Sequence, residues 1–153
     1  MSKPRVYVIF KGEDLPHMET LQSWDANQEF EFIYDKELPR FGVHTPTGKA
    51  LKDELKEKIK AVTHLLCIIG KQTADNDWIN WQVQTASVTG RKVIAVRLNS
   101  GYKSPNALLN FGATWAKAFS FDAIKDAIAA GTSSSLPVAA MPLSSGDEGG
   151  TFA

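Results

Sequence analysis

The chain reads as a single α/β domain of flavodoxin-like, three-layer architecture, its five-stranded parallel sheet ordered 2-1-3-4-5. Three observations predict it. Short apolar runs at residues 6–10, 64–69 and 92–98 are rich in β-branched and other large apolar residues, as strands buried on both faces are. Amphipathic helical stretches alternate with those runs, and right-handed crossovers between parallel strands make this strand order the natural solution. At 153 residues the chain fits one domain whose core needs no covalent staple.

The elements follow in order. Residues 6–10 form the first central strand. A helix over 15–28 is expected next, with Asp14 as its cap and Pro16 in the first turn, where a missing N–H costs nothing. Met18, Leu21 and Trp24 then face the sheet. Residues 29–34 alternate, Phe30, Phe32 and Tyr34 against Glu29, Glu31 and Ile33, as a half-exposed edge strand does. The connection over 36–47 carries Arg40, Phe41, Gly42 and His44. A loop of about a dozen residues in so small a domain is more often functional than idle, and a lid is the expected role.

The second helix, over 48–62, sets Leu51, Leu55, Ile59 and Val62 on one stripe, and charged residues fill the rest as a solvated face. Glu54 and Lys58 stand at the supportive i,i+4 spacing. Strand 64–69 holds the single cysteine, Cys67, expected to be an inert small hydrophobe. Asp75, Asn76 and Asp77 offer caps for a helix over 78–89, which Gly90 stops. Strand 92–98 follows. A weaker fifth strand is expected at 117–121 and a last helix at 122–130, ended by Gly131. The division is thus residues 1–130 as the folded domain and 131–153 as a tail rich in Ser, Gly, Pro and Ala.

Composition removes several function classes. Lys plus Arg and Asp plus Glu balance at 17 each, so no net field recruits nucleic acid or an anionic membrane. The apolar start of the chain is too short for a signal segment or a span, which leaves the cytoplasm as the expected compartment. No Cys/His cluster has metal spacing, and no metal is expected. After the first strand, Phe10, Lys11, Gly12, Glu13 and Asp14 contain no dinucleotide fingerprint, P-loop or flavin phosphate loop. A phosphoryl receiver would need an acceptor aspartate ending the third strand, where Gly70 and Lys71 stand instead.

Ligands in this fold sit beyond the strand C-termini at the switch between the first and third strands. That places Phe10, Lys11, Gly12, Asp35 and His44 among the candidate binding residues. Trp78, Gln82 and Thr85 share a helix face near a positive N-terminus, a plausible cradle for a ribose or an anion. His17 and His64 read as structural.

The run from Val6 to Asp14, the strand from Leu65 to Gly70 followed by Thr73, and above all Trp78-Ile79-Asn80-Trp81-Gln82-Val83 with Ala86 and Gly90 to Ile94 resemble the bacterial TIR-like family. That family includes the ThsB sensors of Thoeris anti-phage defence, and the similarity spans roughly residues 5 to 130. The resemblance implies an enzyme that cleaves NAD+ as its substrate, with no separate cofactor. A phage-derived trigger would start it, and release of nicotinamide would accompany a cyclic ADP-ribose-type signal for a partner effector. Homo-oligomers are a further implication.

In that family the residue after the second tryptophan is normally the catalytic glutamate; here it is Gln82. Breaking a ribose–nicotinamide bond builds positive charge on the sugar, which a carboxylate stabilises and an amide does not. Two unit charges at 4 Å interact by about 4 kcal/mol at an effective dielectric of 20, so the lost charge corresponds to roughly a thousandfold in rate. Gln82 keeps the catalytic position but implies an impaired or substrate-trapping chain. The alternatives are a non-catalytic binding and assembly module, and a nucleoside 2-deoxyribosyltransferase-like enzyme.

Overall fold

In the computed structural model, which describes residues 3–36, 38–40 and 42–133, five parallel strands form one sheet in the order β2-β1-β3-β4-β5. They are β1 (Arg5–Ile9), β2 (Glu31–Ile33), β3 (His64–Ile69), β4 (Lys92–Arg97) and β5 (Thr114–Trp115). The helices are α1 (Leu15–Trp24), α2 (Pro46–Lys60), α3 (Asp77–Val88), α4 (Asn106–Phe111) and α5 (Phe121–Ser133). Side-chain alternation along the strands builds a core on each face. Val6, Val8, Leu66, Ile68, Ile94 and Val96 pack with Met18 and Leu21 of α1 and Ile124 and Ile128 of α5. Tyr7, Ile9, Leu65, Cys67, Val93 and Ala95 pack with Ile59 of α2, Ile79 and Val83 of α3 and Leu108 of α4. Every residue of β3 is buried, as its unbroken apolar run requires. Cys67 lies fully inside, and burial pushes its thiol up to about 12, so it is inert.

The edge strand behaves as its alternation predicts: Phe30, Phe32 and Tyr34 join one core and Ile33 the other. Several boundaries differ from expectation, each for a local reason. α1 ends at Trp24 because the Asp25 carboxylate accepts from the N–H groups of Glu29 and Phe30, at 2.7 and 3.0 Å, turning the chain. Asp14 makes no cap bond; a 3-10 turn, Gly12–Asp14, precedes α1, and the Asp14 side chain lies buried against Gly70. Trp24 stays 37% exposed at the rim, against Phe119.

α2 begins two residues before Gly48. Thr45 is its cap, accepting from the N–H of Gly48 at 3.0 Å, and Pro46 opens the first turn. The Glu54–Lys58 pair does not form, since the Lys58 ammonium turns to Asp35 at 2.8 Å. Asn76 caps α3 by accepting from Ile79, and Gly90, at φ +82°, ends the run as foreseen.

The fifth strand is misplaced in the sequence reading. It is the two-residue segment at 114–115, paired to Ile94 and Ala95, whereas Phe119 packs on His17 and Trp24 and Phe121 opens α5. The loop before it contains α4, a short helix that follows Pro105. Gly131 does not end α5, which runs on to Ser133; the rest of the expected tail, 134–153, lies outside the described residues. Among the described residues no helix is long and apolar enough to cross a membrane.

Candidate functional site

A cavity of about 320 Å³ opens at the exit of β1, between α2 and α3 and on the side of β2. That volume is at the small end of ligand sites, which run roughly 300–1,000 Å³. Its floor is the last turn of strand and exit of β1, from Tyr7 to Phe10. Leu51, Glu54, Leu55 and Lys58 form the α2 wall, and Leu38 and Pro39 of the 36–47 connection complete that side. Gln82 of α3 completes the lining.

Gln82 is only 2% exposed. Its Nε2 donates to the Trp78 carbonyl at 3.3 Å, one helical turn back, and its Oε1 has no partner among the described residues. A buried, unanswered acceptor costs about 1–3 kcal/mol, so this oxygen is poised for a donor that the described residues do not supply.

Asp35 stands across the cavity. Its carboxylate accepts from the Tyr7 hydroxyl at 2.9 Å and from the Lys58 ammonium at 2.8 and 3.0 Å. The register explains this meeting: Tyr7 is opposite Ile33, and Asp35, two residues further on, returns toward the same face of the sheet. Burial, then the Asp35 charge and the hydrogen bond donated to it, push the Tyr7 hydroxyl far above its usual range. Tyr7 is therefore a fixed donor and no nucleophile. Lys58 also lies 5.9 Å from the centroid of the Tyr7 ring.

Of the seven site residues that the sequence singles out, Phe10, Asp35 and Gln82 line this cavity. Four do not. Trp78 is buried with Val43 and Leu55 and edge-on to Trp81, so it supports the 36–47 connection from beneath and does not wall the ligand space. His44 is exposed on the outer side of that connection, beside Lys49 and Asp53, because Val43 takes the inward position. Lys11 is half-buried and Gly12 exposed beyond the strand exit, where a Cβ on Gly12 would approach the Lys36 carbonyl. Phe41 lies outside the described residues.

The sequence reading misses Tyr7, Glu54 and Lys58. A signal existed for two of them: Glu54 and Lys58 flank the apolar stripe of α2 beside Leu51 and Leu55, so they border whatever that stripe faces. The expected lid has a physical latch. A Cβ on Gly48 would collide with the carbonyls of Gly42 and Val43, so the bare glycine lets the connection lie directly on the first turn of α2. Among the described residues no group of three or more His, Cys, Asp or Glu is arranged to hold a metal ion.

Fold and cavity together define a flavodoxin-like α/β domain whose cleft sits at the switch point of the sheet. The family model described as the Thoeris protein ThsB, TIR-like domain, matches residues 7–103, and the chain belongs to that family. No curated protein matches the chain. Among solved structures, a 2-deoxyribosyltransferase from Bacillus psychrosaccharolyticus is similar at 16% identity and TM-score 0.54, covering 75% of this chain and 87% of that one. At that identity the likeness shows the fold alone. The TIR domains of the activated Roq1 resistosome match at 18% identity and TM-score 0.44, over 63% of this chain and 60% of that one. The flavoenzyme FerB of Paracoccus denitrificans matches at 15% and 0.48, over 77% and 79%.

Proposed function

We propose that this TIR-like domain binds NAD+ with its nicotinamide ribose at the cavity beside Gln82, and that Gln82 holds catalysis back. The observation that carries the reading is the Gln82 amide, buried, lining the cavity at the β1 exit, with an unanswered oxygen. It occupies the position where the family resemblance places a catalytic glutamate. In the reaction the bond between ribose C1′ and the pyridinium nitrogen breaks, its electron pair neutralises the ring and nicotinamide leaves, and a nucleophilic atom of the same ADP-ribose bonds to C1′ and sheds its proton to close the ring. Positive charge develops on the ribose as the first bond breaks, opposite a side chain that here has no charge to offer. Of the carboxylates that line the cavity, Asp35, just beyond β2, is already neutralised by Lys58. With a glutamate at position 82 the product is a cyclic ADP-ribose-type signal, made in the cytoplasm on a phage-derived trigger and read by a partner effector.

The test is Gln82→Glu. Nicotinamide release from NAD+ should rise by about a hundredfold to a thousandfold over the parent chain, measured with the trigger present. Equal, negligible turnover in both folded proteins would defeat the proposal.

A second reading is favoured by a separate observation. Val88, Leu109 and Phe111 are exposed large apolar side chains, and the last two border an open groove with Trp115 at the β5 edge. Such a patch suits homotypic assembly without catalysis. Leu109→Asp should then lower the sedimentation mass of the chain at high concentration; an unchanged mass would remove this reading.

A further inference from the structure

Among the described residues three charged side chains line the cavity: Asp35, Glu54 and Lys58. Two of them cancel. The Lys58 ammonium lies within 3.0 Å of both Asp35 oxygens, and Tyr7 donates to the same carboxylate, so that group is spoken for. Glu54, one turn before Lys58 on α2, has no ion pair or hydrogen bond among the described residues, because its expected partner has turned away. The cavity therefore carries one uncompensated negative charge at its mouth, and the unanswered Gln82 oxygen adds a partial negative charge inside. Among the described residues no free cation lines it to receive a phosphate.

A ligand group that suits this field is small, flat, and positively charged or rich in donors. The pyrophosphate of a dinucleotide belongs outside, and about 320 Å³ leaves room for a ring and its sugar. We infer that Glu54 is a specificity residue that selects the cationic pyridinium of NAD+ over the neutral dihydropyridine of NADH. This rests on the reading of the cavity as an NAD+ site and adds to it the residue that tells the two redox forms apart. Glu54 acts by its charge on the ligand and takes no part in bond breaking.

Calorimetric titration of the full chain with NAD+ and with NADH tests this, on the parent, on Glu54→Gln and on Asp53→Asn. Asp53 is the adjacent acid of α2 and lies outside the cavity lining, so it controls for net charge. At a partly exposed rim one unit charge should favour NAD+ by about threefold to tenfold in the parent. Glu54→Gln should bring that ratio below about twofold by weakening NAD+ while NADH affinity holds, and Asp53→Asn should keep the parental ratio. An unaltered ratio in Glu54→Gln, an equal loss in Asp53→Asn, or no preference in the parent overturns the inference and leaves the NAD+ site standing. Failure of the parent to bind either dinucleotide overturns both.

Discussion

At the scale of single residues, two buried polar side chains at the strand exits are placed against the ordinary rules of burial. Gln82 is explained by the cavity it lines. Asp14 lines no such space: it is 6% exposed, its Oδ2 has no partner among the described residues, and its nearest basic group is His17 at 4.0 Å. Burial, and then the neighbouring Glu13, raise its carboxyl above the ordinary 3.8, with His17 pulling weakly the other way. The folded chain thus holds that proton more tightly than the unfolded one. Its contribution to stability is full below pH 3.8 and is lost as pH rises through the folded value, so the ionised group is a burden at neutral pH. Asp14→Asn should accordingly stabilise the chain by about 1 kcal/mol at pH 7 and by nothing below pH 3.5, read from urea unfolding at both pH values. The same contact constrains Gly70. A Cβ there would collide with the Asp14 carboxylate, so Gly70→Ala should cost about 1–3 kcal/mol, and less when combined with Asp14→Ala.

At the scale of elements, the strongest device is the junction of the 36–47 connection with α2. Thr45 caps the helix, Val43 seats on Leu55 and Trp78, and Gly48 leaves room for the carbonyls of Gly42 and Val43. An alanine in a helix normally stabilises relative to glycine by about 1 kcal/mol. Here the sign should reverse: Gly48→Ala should lower the midpoint of thermal unfolding and weaken the NAD+ binding proposed for the cavity, because Leu38 and Pro39 ride on the same connection. A higher midpoint with unchanged affinity would show that the latch is not tight. Elements of this kind were only partly legible in sequence. The central strands and the stripe of α2 were readable because burial on two faces or on one imposes a period that few other structures share. The two-residue β5 and the six-residue α4 are too short for any period, and the aromatic residues at 119 and 121 imitate a strand while packing outside the sheet.

For the whole molecule, the strand order places the cleft, and hence the candidate site, without any motif: Phe10 and Asp35 follow from strand exits and Gln82 from its helix face, and the family resemblance adds only the catalytic reading of Gln82. Tyr7 and Lys58 stayed hidden because their roles arise from the β1–β2 register and from a side-chain choice on α2. The opposite end of the strands sets a property of the entire fold. His64 opens β3, paired with Val6 and Lys92, and is 3% exposed with its Nδ1 2.7 Å from the Thr63 hydroxyl. Burial is the main reason that its ring resists protonation, and Lys92 adds to it, against a bond to the Ile128 backbone that favours the proton. The folded value thus falls below 6.5, the value of an unperturbed histidine. As pH drops below 6.5 the unfolded chain takes up a proton that the folded chain refuses, and stability falls until the folded value is reached. The slope from one such group is at most about 1.4 kcal/mol per pH unit. Asp14 works in the opposite direction, since its raised carboxyl adds stability as pH falls toward 3.8. Urea unfolding of the parent should therefore show a loss between pH 7 and pH 5 that His64→Gln flattens, whatever offset that substitution brings. An acid limb of equal slope in the variant would mean that other groups carry it and that His64 is protonated in the folded chain as readily as in the unfolded one.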